Sequence, residues 1–397
     1  MKLLFLTDNF PPEVNAPATR TYEHCREWVK QGVEVTVITC VPNFPKGKVF
    51  VGYKNKLFQK EIIDGIKVIR VWTYITANEG FLKRILDYLS FMLSAFLAGL
   101  FIKTDIIIAT SPQFFTAISG RWLSFWKRKK WIMEVRDLWP ESIKAVGAMK
   151  TNPAIRFFEL LENRMYKSAN KIIVVTDSFK EVLVKKNSID SSKISIIKNG
   201  VNTSLFKPIQ KDVHLIKDLG LQGKFIIGYI GTHGMAHGLD FILECAKDIS
   251  DNDIHFLFLG EGAKKQELLA QKEYLKLENI TMLTSVTKQE VAKYISILDI
   301  GLVNLKKSDT FKSVLPSKIF ELCGMHKPIL LGVEGEAKKL VNDYQVGLSF
   351  EPENKKDFLE KIELSKKLKV TSKNFNRLIT DFDRIKLSKK MLEFVKQ

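Results

Sequence analysis

Short apolar runs alternate with longer amphipathic stretches along this chain, and that alternation limits its folds more than any other feature. The first half holds KLLFLT (2–7), VEVTVITC (33–40), IKVIRVW (66–72), DIIIAT (105–110), WIMEV (131–135) and KIIVVT (171–176). The second holds KFIIGYI (224–230), IHFLFLG (254–260), ITMLT (280–284), DIGLV (299–303) and KPILLGV (327–333). Continuous Val, Ile, Leu and Phe runs suit strands buried on both faces. Helical stretches between them make βαβ units and a parallel, doubly wound sheet. At 397 residues the chain is too long for one typical core. The expectation is an α/β protein of two Rossmann-like domains facing across a cleft.

The boundary is expected in KNGVNTSLFKPIQ, where Asn199-Gly200 signals a turn and Pro208 stops a helix. That gives an N-terminal domain over 1–203, a second over 204–372, and a helical segment over 373–397 that can cross back to the first. Ligands of open α/β sheets bind at the carboxyl ends of the strands, so the loops after the strands are the candidate sites.

The formal net charge of +18 calls for an anionic partner: nucleic acid, anionic lipid or a phosphorylated substrate. No nucleic-acid-binding motif is present, and the basic residues are spread through amphipathic helices. The four cysteines are scattered without a CxxC pair, so neither zinc nor a disulfide framework is signalled. The start, MKLLFLTDNF, is too short in apolar residues for a signal-peptide core, and a cytoplasmic location is expected.

Five loops carry polar chemistry. TDNFPPEVNAPATR (7–20) holds Asp8, Asn15 and Arg20, and is either a plain βα connection or a loop whose amides face a sugar or phosphate. EVRDLWPES (134–142) sets Arg136 and Asp137 at a strand end, where Asp137 is either a polar group aimed into the cleft or a helix cap. GYIGTHGMAHGLDFIL (228–243) puts four glycines with His233 and His237 in one strand-to-helix turn. Glycine lets backbone approach an anion closely, so Thr232, His233, Gly234 and His237 are candidates for a phosphate or sugar. Zinc is not expected there, since no third ligand is near in sequence. Gly260 and Gly262 in LGEGAKKQEL are a weak G-x-G signal.

The fifth loop is SVLPSKIFELCGMHKPILLG (313–332). Pro316 suits a first helical position, which leaves the amides of Ser317 and Lys318 free to meet an anion. Lys318 adds a full charge. Glu321, one turn on, suits a vicinal diol such as ribose. The bland alternative is a surface ion pair between Lys318 and Glu321, three residues apart on one helical face. The acidic DND at 251–253 precedes a strand, at the wrong end of a sheet for a metal site.

Taken together, IIKNGVNTSLFKP, LPSKIFELCGMHKPIL, RDLWPES and TDNFPPE…APATR resemble the retaining glycosyltransferases of family 4, with the GT-B fold. They are similar to the subgroup that adds N-acetylfucosamine or related sugars in bacterial O-antigen and capsule assembly. The resemblance implies a metal-independent, retaining transfer from a nucleotide-sugar, with a UDP-linked sugar the expected donor, to a polyprenyl-diphosphate-linked saccharide. It implies ribose binding by Glu321 and diphosphate binding by the backbone around Leu315, Pro316 and Ser317, and no cofactor. The sequence departs from the family pattern in four places. Ser313 stands where a glutamate is usual, eight residues before Glu321. Thr232 and His237 stand where an Arg and a Lys usually clamp the diphosphate. Arg136, beside Asp137, stands where a catalytic histidine is usual. His326 replaces a usual glycine before Lys327-Pro328. Lys318 is then expected to supply the missing clamp charge.

Within residues 81–102 the uncharged apolar run from Tyr88 to Ile102 is 15 residues, short of the roughly 20 that span a bilayer. RWLSFWKRKKW (121–131) mixes Trp and Phe with cations, as membrane interfaces do. Both also fit ordinary helices of the first domain. The expectation is a peripheral protein of the inner membrane's cytoplasmic face. The rival functions are a sugar-nucleotide epimerase or hydrolase of the same architecture, and a non-catalytic membrane-associated binding protein.

Overall fold

The computed structural model describes residues 1–76, 81–111, 114–138 and 153–397. It divides into two compact units. One is Met1–Lys198 with Ile385–Gln397, the other Asn199–Arg384. The crossing therefore falls at Asn199, and only the end of the C-terminal helical segment returns to the first unit. Residues 139–142 of the RDLWPES segment lie outside the described residues.

The first unit is built on strands β1 (Lys2–Leu6), β2 (Glu34–Cys40), β3 (Phe58–Ile63), β4 (Ile66–Val71), β5 (Ile106–Thr110), β6 (Lys130–Val135), β7 (Lys171–Val174) and β8 (Ile194–Ile196). Among the described residues they lie in the order β3-β4-β2-β1-β5-β6-β7-β8. The helices are α1 (Ala16–Lys30), α2 (Phe81–Leu100), α3 (Phe114–Lys127), α4 (Pro153–Ser168) and α5 (Asp177–Lys185). The sheet is not wholly parallel. Strand β3 runs antiparallel to β4 at the edge. Asp64 and Gly65 both take positive φ, which suits a two-residue hairpin turn, and β3 is half exposed, so its sequence lacks the continuous apolar run.

Helices α2, α3 and α4 cover one face of this sheet. Phe91 and Ala95 of α2, Phe114 and Leu123 of α3, and Met165 and Tyr166 of α4 share a core with Leu4, Ile107 and Met133 of the strands. On the other face, Phe5 and Val35 pack with Trp28 of α1 and with Leu387, Met391 and Val395 of the returning helix. The Trp28 indole N–H donates to the Ser388 carbonyl at 3.0 Å, and Lys171 donates to that of Phe394 at 2.6 Å. Burial of these apolar side chains, at about 1.5–3 kcal/mol each, fixes the tail in place.

The second unit is built on β9 (Phe225–Ile230), β10 (Ile254–Leu259), β11 (Ile280–Leu283), β12 (Ile300–Asn304), β13 (Ile329–Gly332) and β14 (Gly347–Ser349). These are parallel, in the order β11-β10-β9-β12-β13-β14. Its helices are α6 (Val213–Asp218), α7 (Leu239–Ala246), α8 (Lys265–Tyr274), α9 (Lys288–Ile297), α10 (Lys318–Gly324), α11 (Glu336–Tyr344), α12 (Lys355–Ser365) and α13 (Ser372–Asp381), and α14 (Arg384–Lys396) leads into the first unit. All six residues of β10 are buried, as a strand covered on both faces requires. The strand order reverses between β9 and β12, as it does between β1 and β5 in the first unit. Loops leaving such a pair part to opposite sides and open a crevice at the strand ends.

Candidate active site

At the β9/β12 reversal the loop after β9 meets helix α10. Tyr229, next to the last residue of β9, is fully buried. Lys318 opens α10 and donates from Nζ to the Tyr229 hydroxyl at 2.7 Å, which in turn donates to the Thr232 carbonyl at 2.7 Å. The Lys318 Nζ also stands 4.1 Å from the Tyr229 ring centre. Gly231, at φ 142°, is required here, because a Cβ would run into the Lys318 Cε. Burial pushes the Lys318 ammonium down from the usual lysine range to about 7, while Glu321 acts in the opposite direction.

Lys318 and Glu321 are not an ion pair with each other. Glu321 pairs with Lys288, the first residue of α9, whose Nζ lies 4.9 Å from the Phe206 ring centre. Both members of that pair are about four-fifths buried (19% and 20% exposed), so the contact is not a solvated surface bridge. The helix begins two residues later than Pro316 suggested. Ser317 is its cap, and the Pro316 carbonyl accepts from the Ile319 amide. Pro316 has no N–H to offer, so the candidate donors are the amides of Ser317 and Lys318, which meet no partner among the described residues. Leu315 is buried, and its carbonyl accepts from Asn199 at 3.3 Å.

The histidines divide. His237 is half buried beside Tyr229, ring centres 5.9 Å apart, and burial with the Lys318 charge holds it neutral. His233 is fully buried between Tyr229 and Phe258, which sets it behind any surface a ligand would touch. Burial, then Lys265 and Lys318, push its pKa down to about 3. The loop after β10 closes over it: the His233 amide donates to the Glu261 carbonyl and the Lys264 amide to the His233 carbonyl, both at 2.9 Å. Gly262 makes that approach possible, since a Cβ would stand 2.5 Å from the His233 carbonyl oxygen. The weak G-x-G signal is thus a packing feature. Gly234 stays half buried next to His237. Asn304, at the end of β12, donates to the carbonyls of His237 and Gly238 and so ties the β9 loop to the β12 side of the crevice. Tyr229, Lys288 and Asn304 escaped the sequence reading because each lies in an apolar run or an ordinary helix start.

In the first unit the candidates separate further. Arg20 is buried in the core, donating to Glu134 at 2.9 Å and to the carbonyls of Ile197 and Lys198. It is a cross-link of the fold and not an acceptor-side group. Asn15 caps α1, accepting from the Ala18 amide at 2.9 Å. Burial works against the Glu134 carboxylate, but Arg20 and Arg136 hold its pKa below the usual range. Arg136 and Asp137 follow β6, and burial pushes Asp137 up to about 6 against the pull of Arg136. Asp8 follows β1. Burial, then Asp87 of α2 and Glu13, raise it well above an ordinary carboxylate. Glu13 and Asp87, both pushed up mainly by burial to about 7, are partners the sequence did not point to.

Among the described residues no group of three His, Cys, Asp or Glu side chains is placed to hold a metal ion. The DND stretch is a turn before β10, with Asp251 accepting from the Asp253 amide and pairing with Lys366.

Two Rossmann-like units, each with its polar loops at a strand-order reversal, are the architecture of GT-B glycosyltransferases. Sequence and structure comparisons specify this. The family model Glycosyltransferase Family 4 matches residues 17–205, and Glycosyl transferases group 1 matches residues 214–384. The chain is a glycosyltransferase whose two halves match these two family models. It is 24% identical over 329 residues to WcaI of Escherichia coli (strain K12), a protein named for colanic acid biosynthesis as a glycosyl transferase, covering 80% of each chain. Solved structures of the same fold include sucrose-phosphate synthase from Thermosynechococcus elongatus (TM-score 0.78, 13% identity, 100% of this chain and 98% of that one). Anabaena HepE in complex with UDP-glucose is another (TM-score 0.70, 15% identity, 100% and 99%).

Proposed function

We propose that this glycosyltransferase moves a sugar from a UDP-sugar to a saccharide carried on a polyprenyl diphosphate, retaining anomeric configuration, in surface polysaccharide assembly. The observation that carries the reading is helix α10 at the β9/β12 reversal. One helix start presents a half-buried cation, Lys318, two unpartnered amides, and a carboxylate, Glu321, paired with Lys288. A diphosphate and a ribose diol call for that combination. The name of WcaI and the UDP-glucose complex of HepE support the pathway class and the donor class. The motif resemblance supports an N-acetylated 6-deoxyhexosamine, such as N-acetyl-L-fucosamine, as the sugar.

In the reaction the bond between the sugar C1 and the β-phosphate oxygen breaks, and its electron pair leaves with UDP. The acceptor oxygen bonds to C1 on the same face, and its proton passes to the departing phosphate oxygen. Lys318 and the Ser317 and Lys318 amides stabilise the charge on the leaving diphosphate, a role that needs no metal. Thr232, Gly234 and His237 line the phosphate and sugar. On the acceptor side, Asp8 and the Arg136–Asp137 pair are the polar groups at the strand ends of the first unit, with Asp137 and Arg136 the catalytic candidates. Both substrates are reached from the cytoplasmic face of the inner membrane.

The test is a donor screen against synthetic polyprenyl-diphosphate oligosaccharides in the presence of a chelator, read by mass spectrometry and anomeric NMR. One added sugar with retained configuration is expected. Turnover of UDP-sugar without acceptor would instead indicate a hydrolase or epimerase.

A further inference from the structure

Helices α2 and α3 leave a large apolar surface uncovered. Leu93 and Leu97 of α2 and Phe101, just past its end, follow one another at four-residue spacing and are 50%, 57% and 85% exposed. On α3, Trp122, Phe125 and Trp126 are 38%, 79% and 68% exposed. The opposite sides of both helices pack on one face of the sheet, so these six side chains all project away from it. The helices touch along this outer side: Phe96 meets Trp122 edge-on at 5.5 Å, and Lys127 donates to the Leu100 carbonyl at 2.9 Å. Leaving so much aromatic and aliphatic surface in water is unfavourable unless something covers it.

The charges beside the surface say what does. Helix α3 ends at Lys127, Arg128 follows in the left-handed conformation (φ 53°), and the Lys129 amide turns back to the Ser124 carbonyl. Arg128, Lys129 and Lys130 follow in a row, all exposed, and no salt bridge reaches them among the described residues. The segments Tyr88–Lys103 and Phe114–Trp131 contain no Asp or Glu. A second copy docking through this face would oppose like charges across its two-fold axis. A surface of anionic headgroups over acyl chains satisfies both halves: cations meet phosphate, and Trp and Phe settle at the boundary. No helix among the described residues is long and apolar enough to cross a membrane, so the mode is adsorption and not insertion.

We propose that the α2–α3 face is a docking surface for an anionic phospholipid bilayer. It rests on the proposed function only in explaining how a lipid-linked acceptor is met, and its test needs no sugar. The full chain is mixed with phosphatidylcholine vesicles and with mixed phosphatidylcholine–phosphatidylglycerol vesicles, and binding is read by flotation and by the blue shift of tryptophan emission. Binding to the anionic vesicles is expected. The combined Arg128→Ala, Lys129→Ala, Lys130→Ala variant should bind on the order of a hundredfold more weakly. Phe125→Ser with Trp126→Ser should reduce binding even at low salt. These positions are exposed, and an unchanged melting temperature and unchanged UDP affinity would show that the variants fold. Equal binding to neutral and anionic vesicles, no binding to either, or full binding by the Phe125→Ser, Trp126→Ser variant overturns the proposal. So does a lipid-free dimer that these substitutions dissolve. Failure of UDP to bind would count against the donor site alone.

Discussion

The Lys318 ammonium is hydrogen-bonded to the Tyr229 hydroxyl at 2.7 Å, across the strand-order reversal of the second sheet. The bond fixes the one cation at the start of α10 to the strand beside it, and Gly231 leaves the room it needs. Replacing Lys318 with Met should weaken UDP binding roughly ten- to a hundredfold, the scale of one charge-assisted contact to phosphate. Tyr229→Phe should cost less, about 1 kcal/mol of folding stability and a few-fold in affinity. Calorimetric titration with UDP and thermal melting of both variants check this. Unchanged affinity in Lys318→Met would remove the clamp role.

The same residue predicts a pH dependence. With its pKa lowered to about 7 in the folded protein, Lys318 carries its charge fully only below that value. UDP affinity should therefore decline as pH rises through 7, and Lys318→Met should flatten that decline. Tyr229 stays neutral in this range because burial raises it, and His233 and His237 stay neutral because burial and nearby cations lower them. Folding responds with the opposite sign. The unfolded chain binds this proton more tightly, so stability should rise as pH climbs from about 7 toward 10.5. Lys318→Met should raise the melting temperature at pH 6 and lose that slope.

Glu321 is assigned to a ribose diol, which a comparison of nucleotides isolates. Glu321→Gln should weaken UDP several-fold and leave 2′,3′-dideoxy-UDP nearly unaffected, since that ligand already lacks both hydroxyls of the diol. Equal loss for both ligands would mean that Glu321 acts only by holding Lys288. Lys288→Met, measured alongside, separates the two roles.

The buried pair Arg20–Glu134 should behave as a structural element. Arg20→Met removes the nearer of the two cations facing the buried Glu134 carboxylate, leaving Arg136, and should destabilise by about 3 kcal/mol. UDP affinity, measured below the melting transition, should not change. A loss of transfer activity without a loss of stability would return Arg20 to the acceptor side.

Asp137 gives a kinetic test. With burial holding it at about 6, a role for its ionised form predicts transfer that falls as pH drops through 6. Asp137→Asn should lower kcat and remove that limb. A pH profile unchanged in the variant would assign the residue a packing role.

Much of this protein was already written in the sequence. Ten of the eleven apolar runs became interior strands, because a strand covered on both faces needs a continuous apolar sequence wherever it lies, and ITMLT became the edge strand β11. Strand β3 did not show, since an exposed edge strand carries no such run. The charged row Arg128–Lys130 beside Trp122, Phe125 and Trp126 was equally legible, being local. What only tertiary structure decided was partnership. Spacing alone made Lys318 and Glu321 candidates for one ion pair, and made Arg20 and Asn15 look like loop chemistry. The fold gives Lys318 to Tyr229, Glu321 to Lys288, Arg20 to Glu134 and Asn15 to the start of its own helix. Three of these four partnerships join residues 33 to 114 positions apart in the chain. Periodicity records which face of an element is buried, but not which distant group the buried face will meet.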